Sequence, residues 1–383
     1  MNPIQLLVLL TVILNATCDQ LMQINMLFRH GVRTPLECYP NDPYLNFWNQ
    51  WPTGELMTSG MSQAFQAGLV LKRRYIDSLK FINPNYRRRE FYVRACEEPR
   101  CIQTADSVLA AFYMNSDGTH PNDANWPGNW SPIPVHSVPA VDDKLLQVDR
   151  SCPRDLEIYA ERSTDPKFVE WFATNAPLFD KIYNHAGIRI TDPVAFALFF
   201  DCIQIEKNIY NFTMPDWLDA KTFDEAMKAM VITFDFVFGG PGFGEPASHE
   251  MNKLRAGNLL KTWINDMKAM ISQSNETYKA IFYSAHDTTI IPLLRIFDVK
   301  DKLLPSLADP DFVANVVLEL WKKDDGSYVV KAFYYPNSIA GAINFTSMIS
   351  GCPPTDECPF DIFVNRCKSY LPDNIDLECL PKV

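Results

Sequence analysis

The chain has 383 residues, 47% of them apolar, and a formal net charge of −11 at pH 7. That length allows two ordinary domains or one large domain with a cap, and the apolar content supports a sizeable core rather than disorder. The negative charge argues against a nucleic-acid partner, because no broad basic footprint is available.

In chain order, residues 1–18 come first, with an uninterrupted apolar run from Leu6 to Leu14 and small residues before Asp19. The run has signal-peptide length and is too short to span a bilayer. No later stretch reaches spanning length, so no membrane partner is expected. Ten cysteines fit a secreted, oxidising location. So do the sequons at Asn129, Asn211, Asn275 and Asn344, although Pro132 follows the serine of the first. No cysteine or histidine group has zinc-site spacing, and neither a metal nor a cofactor is expected.

Ile24–Phe28 reads as a strand ending on Arg29-His30-Gly31-Val32-Arg33-Thr34-Pro35. A histidine between cations loses its proton easily and stays neutral, hence nucleophilic. Two guanidinium forks beside it suit a phosphate or carboxylate. The loop 38–55 follows, dense in Tyr39, Tyr44, Phe47, Trp48 and Trp51, which suits either a cleft rim or ordinary packing. Arg87-Arg88-Arg89 reads as a solvated turn before a strand. That strand, Phe91-Tyr92-Val93, ends on Arg94, and Ile102, Ala105, Leu109 and Phe112 then recur at helical spacing.

The texture changes between about 115 and 255. Residues 117–135 read as a long loop, 154–235 mostly as helices, and 239–246 (GGPGFGEP) as a return linker, together an inserted helical cap. Ala280–Ser284 is a third strand, followed by Ala285 and then His286-Asp287 and a second helical pattern. A hairpin is expected around Asp324-Asp325-Gly326. The fold class is therefore α/β, an open mixed sheet flanked by helices. Its domains are a core at 19–115 and 256–383 and a cap at 116–255. Sites in such sheets lie beyond the carboxyl ends of the strands, where Arg29-His30, Arg94 and His286-Asp287 can meet. His120, His136, His185 and His249 carry no partner pattern and are read as structural.

The chain resembles the histidine acid phosphatases, a branch of the histidine phosphatase superfamily with a phosphoglycerate mutase-like core. Arg29-His30-Gly31-x-Arg33-x-Pro35 matches the family's RHGxRxP, and Ser284–Thr289 matches its second signature around His-Asp. Phe212–Trp217 and the segment from Gly351-Cys352 to Cys379 extend the likeness, which looks strongest to secreted animal members, including arthropod venom and salivary phosphatases.

The resemblance implies a secreted acid phosphatase that hydrolyses small phosphomonoesters through phosphohistidine. In it His30 is the nucleophile and Asp287 the general acid, and Arg29, Arg33, Arg94 and His286 bind the phosphate. It also implies the bridges Cys352–Cys358 and Cys152–Cys379, and leaves Cys38, Cys96, Cys101, Cys202 and Cys367 unassigned. A homodimer is compatible with the sequence but not specified by it. One departure matters. Where members carry Arg-Ser-Thr-Asp and a later Arg-Thr, this chain reads Arg94-Ala95-Cys96-Glu97-Glu98-Pro99-Arg100-Cys101. Glu97 is a candidate helix cap in a conservative rebuild. The alternative is a catalytically reduced protein that holds a small ligand in the same cleft.

Overall fold

The computed structural model describes residues 19–128, 130–274, 277–304 and 309–382. The expected signal peptide, Asn129 and Asn275 lie outside them. The principal strands are β1 (Gln20–Arg29), β2 (Phe91–Ala95), β3 (Ala280–Ala285), β4 (Asn315–Lys322) and β5 (Tyr328–Tyr335). They run in the order β2-β3-β1-β4-β5, with the short β6 (Ile343–Asn344) and β7 (Cys358–Pro359) both beside β5. β1, β3 and β2 are parallel, whereas β4 and β5 form the expected antiparallel hairpin. The sheet is thus mixed, as the sequence implied.

β1 is buried along nearly its whole length, as a central strand covered on both faces must be. Its residues alternate between two cores. Ile24, Met26 and Phe28 join Phe91, Val93, Phe282 and Val317 beneath the helices Thr58–Lys72 and Pro99–Phe112. Leu27 joins Ile281, Tyr283, Val316 and Leu318 beneath the helices Asn258–Ile271 and Asp287–Ile296. The register sets the working edge of the sheet. Arg29 lies opposite Ala285, and Ala95 opposite Ser284, so three strands end at one level and release their motif residues side by side.

The segment 154–235 is helical as expected, with helices at Pro153–Ser163, Pro166–Thr174, Ala176–Ala186, Pro193–Gln204 and Ala220–Val237. Three of these start with proline as their first residue, and Ala176–Ala186 has one at its second, in the first turn where the missing N–H costs nothing. Phe179, Ile182, Phe196, Phe200, Phe223 and Met230 form the core of this layer. Tyr39 is fully buried among them, and the disulfide Cys38–Cys202 ties the loop after the first motif to the helix Pro193–Gln204. Cys152–Cys379 and Cys352–Cys358 are present as the resemblance implied, while Cys96, Cys101 and Cys367 are free and buried.

The aromatic loop takes the packing alternative. Tyr44 stacks on Phe212, and Trp48 and Phe47 meet Tyr210 and Phe212 edge-on. Only Trp51 is substantially exposed, at 47%. Among the described residues, no helix is long and apolar enough to cross a membrane. Asn211 is exposed, whereas Asn344 is half-buried and its amide donates to the Asp356 carbonyl.

Candidate active site

The first motif leaves β1 in a bend held by close backbone contact. Gly31 faces Gly60 in the first turn of the helix Thr58–Lys72, so tightly that a Cβ on Gly31 would lie 2.4 Å from the Gly60 carbonyl oxygen. Val32 donates to the Gln63 side chain and accepts from Met57 N–H. Gly31 N–H donates to Thr104 Oγ1. The loop is therefore fixed from both flanking helices.

His30 is 2% exposed, and its Nδ1 donates to the Gly31 carbonyl at 2.8 Å. A carbonyl can only accept, so the proton sits on Nδ1 and the lone pair is on Nε2. Burial, and then the charges of Arg29 and Arg33, pull its pKa well below the ordinary value, so the ring is neutral. The two cations act on the ring as the sequence implied, with burial the larger cause.

The arginines are held by carboxylates. Arg29 pairs with Asp287 at 2.5 Å, donates to the Pro310 carbonyl at 2.6 Å, and lies over the Phe312 ring. Arg33 forms a two-pronged pair with Asp201, at 2.8 and 3.1 Å. Arg94, at the end of β2, is turned to Asp143 at 2.5 Å. Asp143 is fixed in turn by the N–H groups of Leu145 and Leu146. Asp287 is the first residue of the helix Asp287–Ile296 and accepts from Thr288 N–H. Burial raises its pKa, but Arg29 and then His286 outweigh burial and hold the carboxyl below its usual value.

Arg29, Arg33, Asp201 and Asp287 meet at a cavity of about 590 Å³. Its polar floor holds Arg29, Arg33, Asp201, Asp287 and Asp309. Its opposite wall is apolar, from Val194, Leu198, Met227, Met230 and Phe234 of the helices Pro193–Gln204 and Ala220–Val237. His30 is buried and does not itself line the cavity, and its ring centre lies 5.4 Å from that of His286. Arg94 and His286 do not line the cavity. His286 faces two thiols instead, with Cys96 Sγ 3.3 Å from its Nε2. No member of the aromatic loop 38–55 lines the cavity.

Two carboxylates were not visible in the sequence. Asp201 comes from the helix Pro193–Gln204, where nothing in the local pattern marks it. Asp309 is pushed up to about 7 by burial first and then by the Asp287 charge. Its Oδ1 is buried without a partner among the described residues. Glu97 does not cap the helix Pro99–Phe112. Glu98 holds that position, while Glu97 accepts from Ala140 N–H. Of the remaining histidines, His136 packs on Tyr92, His185 on Trp217 and His249 on Tyr370, while the His120 ring meets the Pro121 carbonyl.

The histidine phosphatase superfamily (branch 2) pattern matches residues 20–335. The chain belongs to that family. Over 360 residues it is 28% identical to the lysosomal acid phosphatase of Rattus norvegicus, covering 93% of this chain and 79% of that one. Over 364 residues it is 29% identical to the prostatic acid phosphatase of Bos taurus, covering 94% and 88%. The phytase structure from Citrobacter braakii shares the fold at a TM-score of 0.65, with 16% identity and coverage of 94% and 99%. These relatives include no arthropod protein, so the venom and salivary likeness stays an expectation. The disulfides, together with lysosomal and prostatic relatives, are consistent with a secretory-pathway or extracellular location.

Proposed function

We propose that this protein is a secreted acid phosphatase that hydrolyses small phosphomonoesters through a phosphohistidine at His30. The observation carrying the reading is the neutral His30 ring, with Nε2 unprotonated, placed between Arg29 and Arg33 at the sheet edge. Phosphoryl transfer needs positioning and charge stabilisation of three equatorial oxygens, and fixed guanidinium groups supply both.

The ion pairs suggest how the site is armed. An incoming phosphate competes with Asp287 for Arg29 and with Asp201 for Arg33. Once Arg29 turns to phosphate, Asp287 loses its main cation and gains an anionic neighbour, so its pKa rises and it takes up a proton. The Nε2 lone pair then attacks phosphorus, the P–O ester bond breaks, and the leaving oxygen takes the proton from Asp287. Water next attacks the phosphohistidine and gives its proton to the Asp287 carboxylate, and the N–P bond breaks to release phosphate.

The cavity wall narrows the substrate class. Its four arginines, Arg29, Arg33, Arg150 and Arg255, are matched by Asp149, Asp201, Asp287, Asp309 and Asp311, and Arg255 is already bound to Asp155. Such a pocket suits one phosphate on an apolar alcohol better than a polyphosphate, whose extra charges would meet carboxylates and methionines. With purified protein at acidic pH, kcat/KM for an aryl phosphate should exceed that for inositol hexakisphosphate. The reverse order would refute the pocket reading.

A second reading is a phosphate-binding protein with reduced turnover. It is favoured by the pairing of Arg94 with Asp143, which keeps a third guanidinium out of the cavity. Tight phosphate binding, with no turnover of any aryl phosphate, would select it.

A further inference from the structure

Among the described residues, one cluster of metal-binding side chains sits against the site and has no part in the chemistry above. Cys96 follows β2, Cys101 lies in the first turn of the helix Pro99–Phe112, and His286 follows β3. Their ligand atoms all lie within 4.8 Å of one another. Both thiols face the His286 ring: Cys96 Sγ lies 3.3 Å from Nε2, and Cys101 Sγ lies 3.8 Å from Nε2 and 3.9 Å from Nδ1. For a tetrahedral zinc ion with standard bond lengths, the sulfur-to-nitrogen edge is about 3.6 Å, between the two Nε2 distances.

The frame around the cluster is rigid. Cys96 N–H donates to the Ser284 carbonyl, Ser284 Oγ donates to the Cys101 carbonyl, and Cys101 Sγ donates to the Ala285 carbonyl. These bonds join the three segments before any ion enters. Both cysteines are buried and outside the three disulfides.

We propose that Cys96, Cys101 and His286 form a zinc site that switches the phosphatase off. Two thiolates and a neutral imidazole bind one Zn²⁺, and the two thiol protons are released to solvent. Three protein ligands leave one position for a water or anion oxygen. The inhibitory consequence rests on the phosphatase reading, in which His286 turns from the thiols to donate to phosphate as the family resemblance implies; a bound ion holds its Nε2 at the thiols and prevents that turn. Losing one such donor costs on the order of 10²-fold in turnover. A Cys96–Cys101 disulfide is the rival use of the pair, and it would leave His286 without a metal.

The test uses the whole protein, reduced with a phosphine, stripped with a chelator and loaded with Co²⁺ as the spectroscopic probe. The site predicts one Co²⁺ per chain with thiolate-to-cobalt absorption in the near ultraviolet, displaced by Zn²⁺ and absent in Cys96→Ser/Cys101→Ser. Should that variant not fold, a mercurial titration of the zinc-loaded wild type serves instead. Zinc should then be released as two thiols are consumed, and an indicator dye reads the release. Uptake of no metal, uptake unchanged in the variant, or a native Cys96–Cys101 disulfide would overturn the site. In a separate arm, zinc at one equivalent should lower aryl phosphate turnover by about 10²-fold, reversed by chelator. Metal binding at these residues without any phosphatase activity would overturn the switch and indict the proposed activity, with the site itself intact.

Discussion

Gly60→Ala sets two physical arguments against each other. Gly60 lies in the first turn of the helix Thr58–Lys72, where replacing glycine by alanine ordinarily stabilises by about 1 kcal/mol. Here, however, the new Cβ would sit 2.1 Å from the Val32 carbonyl oxygen, 2.7 Å from Val32 N and 2.9 Å from Leu56 Cδ1. The first two are backbone atoms of the RHGVRTP loop and cannot rotate away. Helix and loop must part by about 0.9 Å merely to reach the 3.0 Å that real Cβ contacts respect. Overpacking of this kind costs about 1–3 kcal/mol, which at its upper end outweighs the helix gain and leaves a net loss of up to about 2 kcal/mol. It should lower Tm by up to about 2–3 °C in a chain of this size. The same shift displaces Val32 and with it Arg33, and a misplacement near 1 Å costs on the order of 10²-fold in rate. Thermal melting and kcat/KM on an aryl phosphate read both effects. A variant that melts higher than wild type with full activity would refute the close-approach argument.

Other outcomes follow from the buried acids and the arginine site. Asp309, pushed up to about 7, ionises beside the bound phosphate above that pH; KM should rise above pH 7 in wild type and stay flat in Asp309→Asn. Glu206, raised to about 8 by burial first and despite the Trp48 N–H donor, is beside Asp42. A raised acid contributes stability that is complete below its unfolded value near 4.5 and lost as pH rises through about 8. Tm should therefore fall from pH 5 to pH 8 by less in Glu206→Gln than in wild type, and equal declines would contradict this. Chelation should not lower turnover; activity lost to a chelator and restored by magnesium or zinc would show that the arginines do not suffice.

The parts of the site that could be read from sequence are those carried by strand ends. Arg29-His30, Arg94 and His286-Asp287 each follow an apolar run, and parallel register brings them to one edge. The tertiary partners were not legible. Asp201 and Asp309 reach the cavity from the helix Pro193–Gln204 and from a segment after the second motif, and Asp143 turns Arg94 aside from a loop. None of these lies at a spacing that local pattern could reveal. The disulfide of Cys38 joins residues with a sequence separation of 164, so no local spacing indicated it. The loop 38–55 shows the opposite error. Aromatic density looks the same for a cleft rim and for a packed loop, and only Tyr210 and Phe212 beneath it decide. Cys96 and Cys101 were visible as a rewritten junction, but their meeting at the His286 ring appears only once β2 and β3 are paired.

The central claim is that His30 carries the phosphoryl group. Protein mixed with an aryl phosphate bearing labelled phosphorus and quenched within one turnover should hold label that is acid-labile and base-stable. Peptide mapping should place it on His30, and His30→Ala should carry none while melting as wild type does. Label on another residue, or a His30→Ala variant that turns over normally, would contradict the account.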